Sequence, residues 1–411
     1  MNILDTAALL ITIAAVFSYF NYRFIKLPTT IGLMLVSLVF SMILLIAGEM
    51  GFSGVKNFAA NVLQHIDFNT TLMQGMLSFL LFAGALHVNL SDLAKQKWVI
   101  ASLASVGMLT SAFLVGTATW YILGMLSINM SYIYCLLFGA LISPTDPIAV
   151  LGILKTAGAP KTLETKIAGE SLFNDGIAVV VFIVLLGLAT SSEPITAGHI
   201  ALLFLEEAVG GVVYGLLIGW ITFLMLKSVD NYQVEVLLTL ALVMGGYALA
   251  TAIHVSGPIA MVVAGLLIGN HGRVLAMSEK TREHLDTFWE LMDEILNAVL
   301  FVLIGLELLI LTSVDDYIIA ALIMIPVTLL ARLISVSIPI SLLKLKREFS
   351  PNVIKVLTWG GLRGGISVAL ALSLPLGEQR EVILSMTYVI VVFSIAVQGL
   401  TIKRLIKMDK D

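Results

Sequence analysis

The sequence has few charges and a single cysteine, and both shortages exclude broad classes of protein. Charged residues make up 12% of the 411 residues, whereas soluble domains carry about 25%. Hydrophobic residues make up 59%, and the mean hydropathy is +1.03. The lone Cys135 excludes an intramolecular disulfide. The composition therefore predicts an integral membrane protein.

Motifs for energy-driven or metal-dependent chemistry are also missing from the sequence. It has no Walker A loop, no HxxxH motif and no Cys/His spacing that suits a metal. We therefore expect neither ATP-driven transport nor enzymatic activity, no cofactor and no nucleic-acid partner.

Apolar runs are numerous enough for an all-α polytopic membrane protein. We predict about 13 transmembrane helices, because each run approaches the roughly 20 residues that cross a hydrocarbon core of about 30 Å. The predicted spans are approximately 5–22, 28–48, 68–89, 98–123, 129–155, 162–190, 197–226, 232–253, 256–270, 287–312, 316–343, 354–375 and 381–402.

Lysine and arginine are distributed unevenly between the predicted loops. With the N-terminus outside, Lys56 and Arg380 are the only ones of 23 that fall in outside loops. Arg332 and Arg363 lie within spans, and all the others fall in inside loops. The positive-inside rule therefore predicts an outside N-terminus and a cytoplasmic C-terminus.

Five ionisable side chains are predicted within the hydrocarbon region. They are Asp146, Glu170, Asp175, Arg332 and Arg363. A charge near the bilayer centre costs at least a few kcal/mol, so it is kept mainly for ion pathways or paired structural roles. At 1.5 Å per helical residue, all five lie roughly 12–20 Å above the inner boundary of a core of about 30 Å. Charges at one depth on four helices can meet.

Two of these charges stand in spans whose helices are predicted to break. Asp146 lies in SPTDPIAV, where Pro144 and Pro147 remove backbone donors, and Arg363 lies in GGLRGGIS among four glycines. These are the fifth and the twelfth predicted spans. Because successive spans cross the membrane in alternating directions and these two are seven apart, they run in opposite directions. Such a pair predicts an inverted-topology repeat with an ion site near the midplane. Simple kinks with capped ends are the alternative for either break taken alone.

Asp175 is the predicted site of cation and proton binding. Burial disfavours a charged carboxylate, so a buried aspartate can exchange a bound cation for a proton. Ser171 lies four residues earlier on the same helical face and offers a hydroxyl oxygen, while unwound backbone at Thr145 offers a carbonyl. Glu170 points to another side of the helix and is predicted to pair with Arg332. A purely structural, salt-bridged role for Asp175 is the alternative.

The sum of these charges predicts the stoichiometry of exchange. Three acids and two arginines, with Arg363 compensating charge at the broken helices, leave the empty site at a net charge of −1. One Na⁺ or one proton brings that charge to zero. Because uncompensated charge is costly to move through a low dielectric, we predict one-for-one, electroneutral exchange.

Five segments, in order along the chain, resemble the monovalent cation/proton antiporters of the NhaP and Na⁺/H⁺ exchanger type. They are SPTDPIAV, GESLFNDGIAVVVF, HVSGPIAMVVAGLLIGN, the arginine of LLARLISV, and GGLRGGIS. The resemblance extends over essentially the whole chain and implies the Na⁺/H⁺ antiporter fold. It implies that Asp175 binds the ion and the proton, and that Asp146, Ser171 and the Thr145 carbonyl complete the Na⁺ site.

The same resemblance implies further roles and a larger architecture. Glu170 and Arg332 would form a stabilising salt bridge, and Asn174 would be the partner typical of electroneutral members. The chain would be a homodimer in a prokaryotic plasma (inner) membrane, serving pH homeostasis. Spans 1–3 and 7–10 would form a scaffold, while spans 4–6 (about 98–190) and 11–13 (about 316–402) would form a core that moves in an elevator-type cycle.

One departure from the family pattern and three alternative functions accompany this prediction. Ala83 stands in LLFAGALHVNL where many prokaryotic relatives have an acid, so a ligand or gate from that position is in doubt.

A K⁺/H⁺ antiporter would use the same ligand types, because selectivity depends on cavity geometry. An ion-coupled organic-solute symporter would need a larger polar or aromatic pocket beside the breaks. A channel suits paired breaks and one exchangeable acid less well.

Overall fold

A computed structural model describes residues 3–50, 54, 76–147, 150–152, 154, 160–190, 197–309, 314–345, 347, 349–350 and 352–407. These residues form helices and connecting segments, with no β-strand among them. The helices are α1 (Ile3–Phe20), α2 (Thr29–Glu49), α3 (Leu77–Leu86), α4 (Leu90–Ser102), α5 (Met108–Met125), α6 (Tyr132–Ile142), α7 (Lys161–Thr190), α8 (Ala197–Lys227), α9 (Tyr232–Ala252), α10 (Gly257–Leu267), α11 (Glu279–Glu307), α12 (Val314–Lys344), α13 (Val353–Trp359), α14 (Gly365–Leu372), α15 (Glu378–Phe393) and α16 (Gly399–Lys407).

Four π-helical turns extend or join these helices in the described part of the chain. Asn21–Ile25 extends α1, Leu103–Gly107 joins α4 to α5, Ile268–Gly272 joins α10 to the three-residue helix Arg273–Leu275, and Ser394–Gln398 joins α15 to α16. With such pieces joined, the described part of the chain contains nine helices that are long and apolar enough to cross a membrane. The all-α, polytopic fold class is therefore confirmed. The count of 13 spans stays a prediction, because residues 68–75 and parts of 148–159 lie outside the described residues.

Two helices begin earlier than the hydropathy of the sequence predicts. The span predicted from residue 98 starts at Leu90, and the span predicted from residue 287 starts at Glu279. Asn89 caps the first helix by accepting hydrogen bonds from the backbone amides of Ser91 and Asp92, and Ser278 caps the second by accepting from Thr281. Capping side chains extend a helix into polar sequence, which an apolar-run criterion excludes.

Close contact between small residues holds α5 and α6 together. A Cβ on Gly139 would collide with the carbonyl oxygen of Ala112, and a Cβ on Gly116 would lie 2.9 Å from the carbonyl oxygen of Cys135. Membrane helices associate in this way because lipid tails provide no hydrophobic driving force between them. The contact holds α6 directly against α5.

Helices α6 and α13 end, and α14 begins, in the buried interior, where the ends of these helices lie next to one another. The backbone is not helical over residues 143–147 or over residues 361–364. The amide of Asp146 donates a 2.8 Å hydrogen bond to the carbonyl oxygen of Leu362. A Cβ on Gly364 would collide with the Asp146 carboxylate. The two non-helical segments therefore lie in direct contact, and glycine at 364 makes room for the aspartate.

Candidate cation-binding site

Helix α7 contributes four polar side chains to the interior at the level of the two non-helical segments. Glu170, Ser171 and Asn174 are each 1% exposed, and Asp175 is 7% exposed. Positions 171 and 175 are four residues apart, so they occupy one face of the helix. Polar groups buried to this degree require partners, because an unpaired polar group in hydrocarbon costs several kcal/mol.

Thr145 is tied to α7 by a small network of hydrogen bonds. Its hydroxyl lies 3.0 Å from that of Ser171 and accepts a 3.0 Å hydrogen bond from the amide nitrogen of Asn174. The backbone amide of Thr145 donates to the amide oxygen of Asn174 at 3.4 Å. Sequence reasoning gave Ser171 and Asn174 roles beside the ion and did not foresee these bonds. In this structure both side chains also hold the non-helical segment onto α7.

Arg363 compensates the partial negative charge of the backbone carbonyls at the C-terminal end of α6. Its guanidinium donates hydrogen bonds to the carbonyl oxygens of Ser143 and Pro144, the latter at 2.9 Å, and its backbone amide donates to Ser394 Oγ at 2.9 Å. The last carbonyls of a helix have no intrahelical donor and carry partial negative charge, so a cation there is favourable. Ser394 opens the π-helical turn after α15, which thereby reaches the site.

Glu170 and Arg332 lie within ion-pair distance in the interior. Arg332 Nη1 is 2.5 Å from Glu170 Oε1, and Arg332 Nη2 donates a 3.2 Å hydrogen bond to the carbonyl oxygen of Leu357. Arg332 is 3% exposed. The ion pair links α7 to α12, and the hydrogen bond to Leu357 links α12 to α13, both in the buried interior.

An open cavity of about 1530 Å³ reaches this region. Thr145, Asp146 and Asp175 line it, and the exposed side chain of Lys161 lies at its surface. Two acids, a hydroxyl and backbone carbonyls are hard oxygen ligands of the type that alkali cations prefer. The structure thus brings together Asp146, Asp175, Ser171, Thr145 and Asn174. Ser171 and Asn174, like the buried Glu170, Arg332 and Arg363, are not among the residues that line the cavity. The described residues contain no group of three or more His, Cys, Asp or Glu side chains arranged to hold a metal.

The cavity also contains acids that the sequence analysis did not select. Asp293 on α11 lines it together with Asp146. Ala83, which is 1% exposed, lies in the same wall and supplies no side-chain ligand. A signal for Asp293 exists in the sequence, because Asp286, Glu290 and Asp293 follow one another at helical spacing within a long amphipathic helix.

Comparison with known proteins gives matches over nearly the whole chain. A family model described as "Sodium/hydrogen exchanger, transmembrane" matches residues 10–408. The Na(+)/H(+) antiporter NhaP of Pseudomonas aeruginosa is 53% identical over 408 residues, which cover 98% of this chain and 96% of that protein. The Na(+)/H(+) antiporter NhaH of Halobacillus aidingensis is 35% identical over 416 residues, covering 99% and 97%. The sodium proton antiporter MjNhaP1 from Methanocaldococcus jannaschii at pH 8 has a TM-score of 0.79 at 19% identity and covers 99% of both chains, a likeness of fold.

Proposed function

Since the chain belongs to the sodium/hydrogen exchanger family, we propose that it is a secondary transporter that exchanges Na⁺ or Li⁺ for H⁺. The observation that carries this proposal is that two acids, Asp146 and Asp175, line one cavity beside two non-helical segments. The names of the relatives in Pseudomonas aeruginosa and Halobacillus aidingensis support the same activity.

Competition at Asp175 couples the two ions in this proposal. A carboxylate that is 7% exposed gains little from water, so it requires either a cation or a proton. Asp146, Ser171 and the Thr145 carbonyl supply the remaining oxygen ligands for Na⁺. Because one carboxylate serves both ions, binding of Na⁺ releases the proton, and the site crosses the membrane carrying one of them.

Electroneutral exchange follows from the charges around the site. The Glu170–Arg332 pair cancels internally, and Arg363 offsets one of the two cavity acids. The empty site then carries a net charge of −1, which a single Na⁺ or proton neutralises. Asn174, next to Asp175, is a neutral amide and adds no second exchangeable charge.

An elevator-type cycle in a homodimer completes the proposal. The moving core comprises α4–α7 and α12–α16, and the remaining helices form the scaffold and the dimer contact. The cavity supports this division, because its lining includes Asp146 and Asp175 from the core and His87 and Asp293 from the scaffold. The protein lies in a prokaryotic plasma membrane with its N-terminus outside, so the cavity, with Lys161 at its surface, opens to the cytoplasm.

Proton flux in proteoliposomes tests the activity and ranks the ions. Purified protein is reconstituted with an internal pH dye, the voltage is clamped, and Na⁺, Li⁺ or K⁺ is added outside. We expect Na⁺ and Li⁺ to drive proton movement in the wild type and not in Asp175→Asn, while Glu164→Gln, which removes another acid of α7 that lines the cavity, stays active. A response to K⁺ alone would make the protein a K⁺/H⁺ exchanger, and no response to any cation would refute antiport.

A further inference from the structure

One face of α11 forms a polar stripe along the cavity. Asp286, Glu290, Asp293, Asn297 and Leu300 recur at intervals of three or four residues, and all of them line the cavity. At 1.5 Å per residue, the stripe is about 21 Å long. It therefore extends from the exposed end of the helix to the level of the two non-helical segments.

From Glu290 inward, the residues of the stripe become more buried along the helix. At the outer end Asp286 pairs with Arg273, so its charge is already compensated. Glu290 is exposed, Asp293 is partly buried, and Asn297 is 3% exposed. At the inner end Leu300 contacts Gly365, the first residue of α14.

Asn297 is the unusual member of the stripe, because its amide is buried without normal hydrogen bonds. Within the part of the chain that the structure describes, neither its amide nitrogen nor its amide oxygen forms a hydrogen bond of standard geometry. Asn297 lies one turn after Asp293 on the same face of the helix. An incoming cation would give the amide oxygen a partner.

Asp293 also lines the same cavity as Asp146. Two carboxylates that face one cavity repel each other unless a cation or a proton lies between them. A cation near Asp293 therefore relieves this repulsion before it reaches Asp146 and Asp175. Glu294, the next residue, also lines the cavity, but it is exposed, so water already solvates its carboxylate.

We propose that Asp293 and Asn297 form a second cation site, which the transported alkali cation occupies on its way between the cavity mouth and Asp146. The Asp293 carboxylate and the Asn297 amide oxygen bind the ion, and water fills its other positions. The inference rests on the proposed exchange function, since it assigns a further step to the same path.

Transport kinetics of two matched charge-removing variants test this site. The Na⁺ concentration that gives half-maximal proton flux is measured in proteoliposomes for wild type, Asp293→Asn and Glu294→Gln. We expect Asp293→Asn to raise it about tenfold and Glu294→Gln to leave it within about twofold. The measurements are repeated in high choline chloride, which screens general attraction of cations by exposed acids but has little effect on a bound ion.

Relocating the charge provides a second measurement that does not depend on loss of activity. In Asp293→Asn/Asn297→Asp the carboxylate moves one turn along the same face, and we expect the half-maximal Na⁺ concentration to return to within about threefold of wild type. Equal shifts in Asp293→Asn and Glu294→Gln that disappear at high ionic strength would overturn the second site. A well-folded double variant as weak as Asp293→Asn would also overturn it. Both results require an active wild type, whereas a wild type without Na⁺-driven flux would refute the proposed function itself.

Discussion

The buried Glu170–Arg332 pair makes a quantitative prediction about stability. Both side chains are less than 5% exposed, and their charged atoms lie 2.5 Å apart. Removing one member of such a pair leaves an uncompensated buried charge, which costs about 3–5 kcal/mol. Arg332→Met also removes the hydrogen bond to the carbonyl oxygen of Leu357, which is worth roughly 0.5–1.5 kcal/mol. Glu170→Gln/Arg332→Met leaves no charge and should cost less than either single change.

The two single variants should differ in their response to pH. The carboxyl left in Arg332→Met becomes neutral when it binds a proton, whereas the guanidinium left in Glu170→Gln stays charged. The defect of Arg332→Met is therefore expected to shrink as the pH falls, and that of Glu170→Gln to stay constant. Unfolding of the purified protein by SDS in dodecylmaltoside micelles measures all three free energies. Single variants that cost under about 1 kcal/mol, or a double variant that costs the sum of both, would refute this reasoning.

Two further substitutions test how the non-helical segments are fitted together. Gly364→Ala places a methyl group against the Asp146 carboxylate and should weaken Na⁺-driven proton flux at least tenfold, whereas Gly245→Ala, whose methyl group meets open space, should not change it. Thr145→Val removes the hydroxyl that accepts from Asn174 and should lower the free energy of unfolding by about 1–3 kcal/mol; Thr145→Ser keeps the hydroxyl, and a loss as large as that of Thr145→Val would contradict the role of this bond.

Residue type alone indicated the parts of the site where the backbone or the membrane imposes strong constraints. Pro144 and Pro147 cannot continue a helix, and the described backbone is indeed non-helical at 143–147. Charges that are costly in lipid drew attention to Glu170 and Arg332, whose side chains form the ion pair described above. In each case a large energetic penalty limits the number of arrangements that the sequence can adopt.

Features that depend on tertiary packing could not be predicted in this way. The hydrogen bonds of Thr145 with Ser171 and Asn174 require that the non-helical segment rest on α7, which no local pattern specifies. Asp293 was missed because acids on an amphipathic helix are usually on a solvated face. Both Asp293 and its neighbour Glu294 line the cavity, and only the partial burial of Asp293 distinguishes the two. Helices α4 and α11 begin before their predicted first residues for a related reason, because hydropathy carries no information about capping side chains.

The pH dependence of Na⁺ affinity tests most directly whether cation and proton compete at Asp175. If one carboxylate binds either ion, protons occupy it as the pH falls and more Na⁺ is needed to displace them. We therefore predict that the half-maximal Na⁺ concentration rises about tenfold per unit of pH at the acidic end of the range, while the maximal rate stays unchanged. A half-maximal concentration that does not depend on pH, with a maximal rate that does, would contradict competition at a single site.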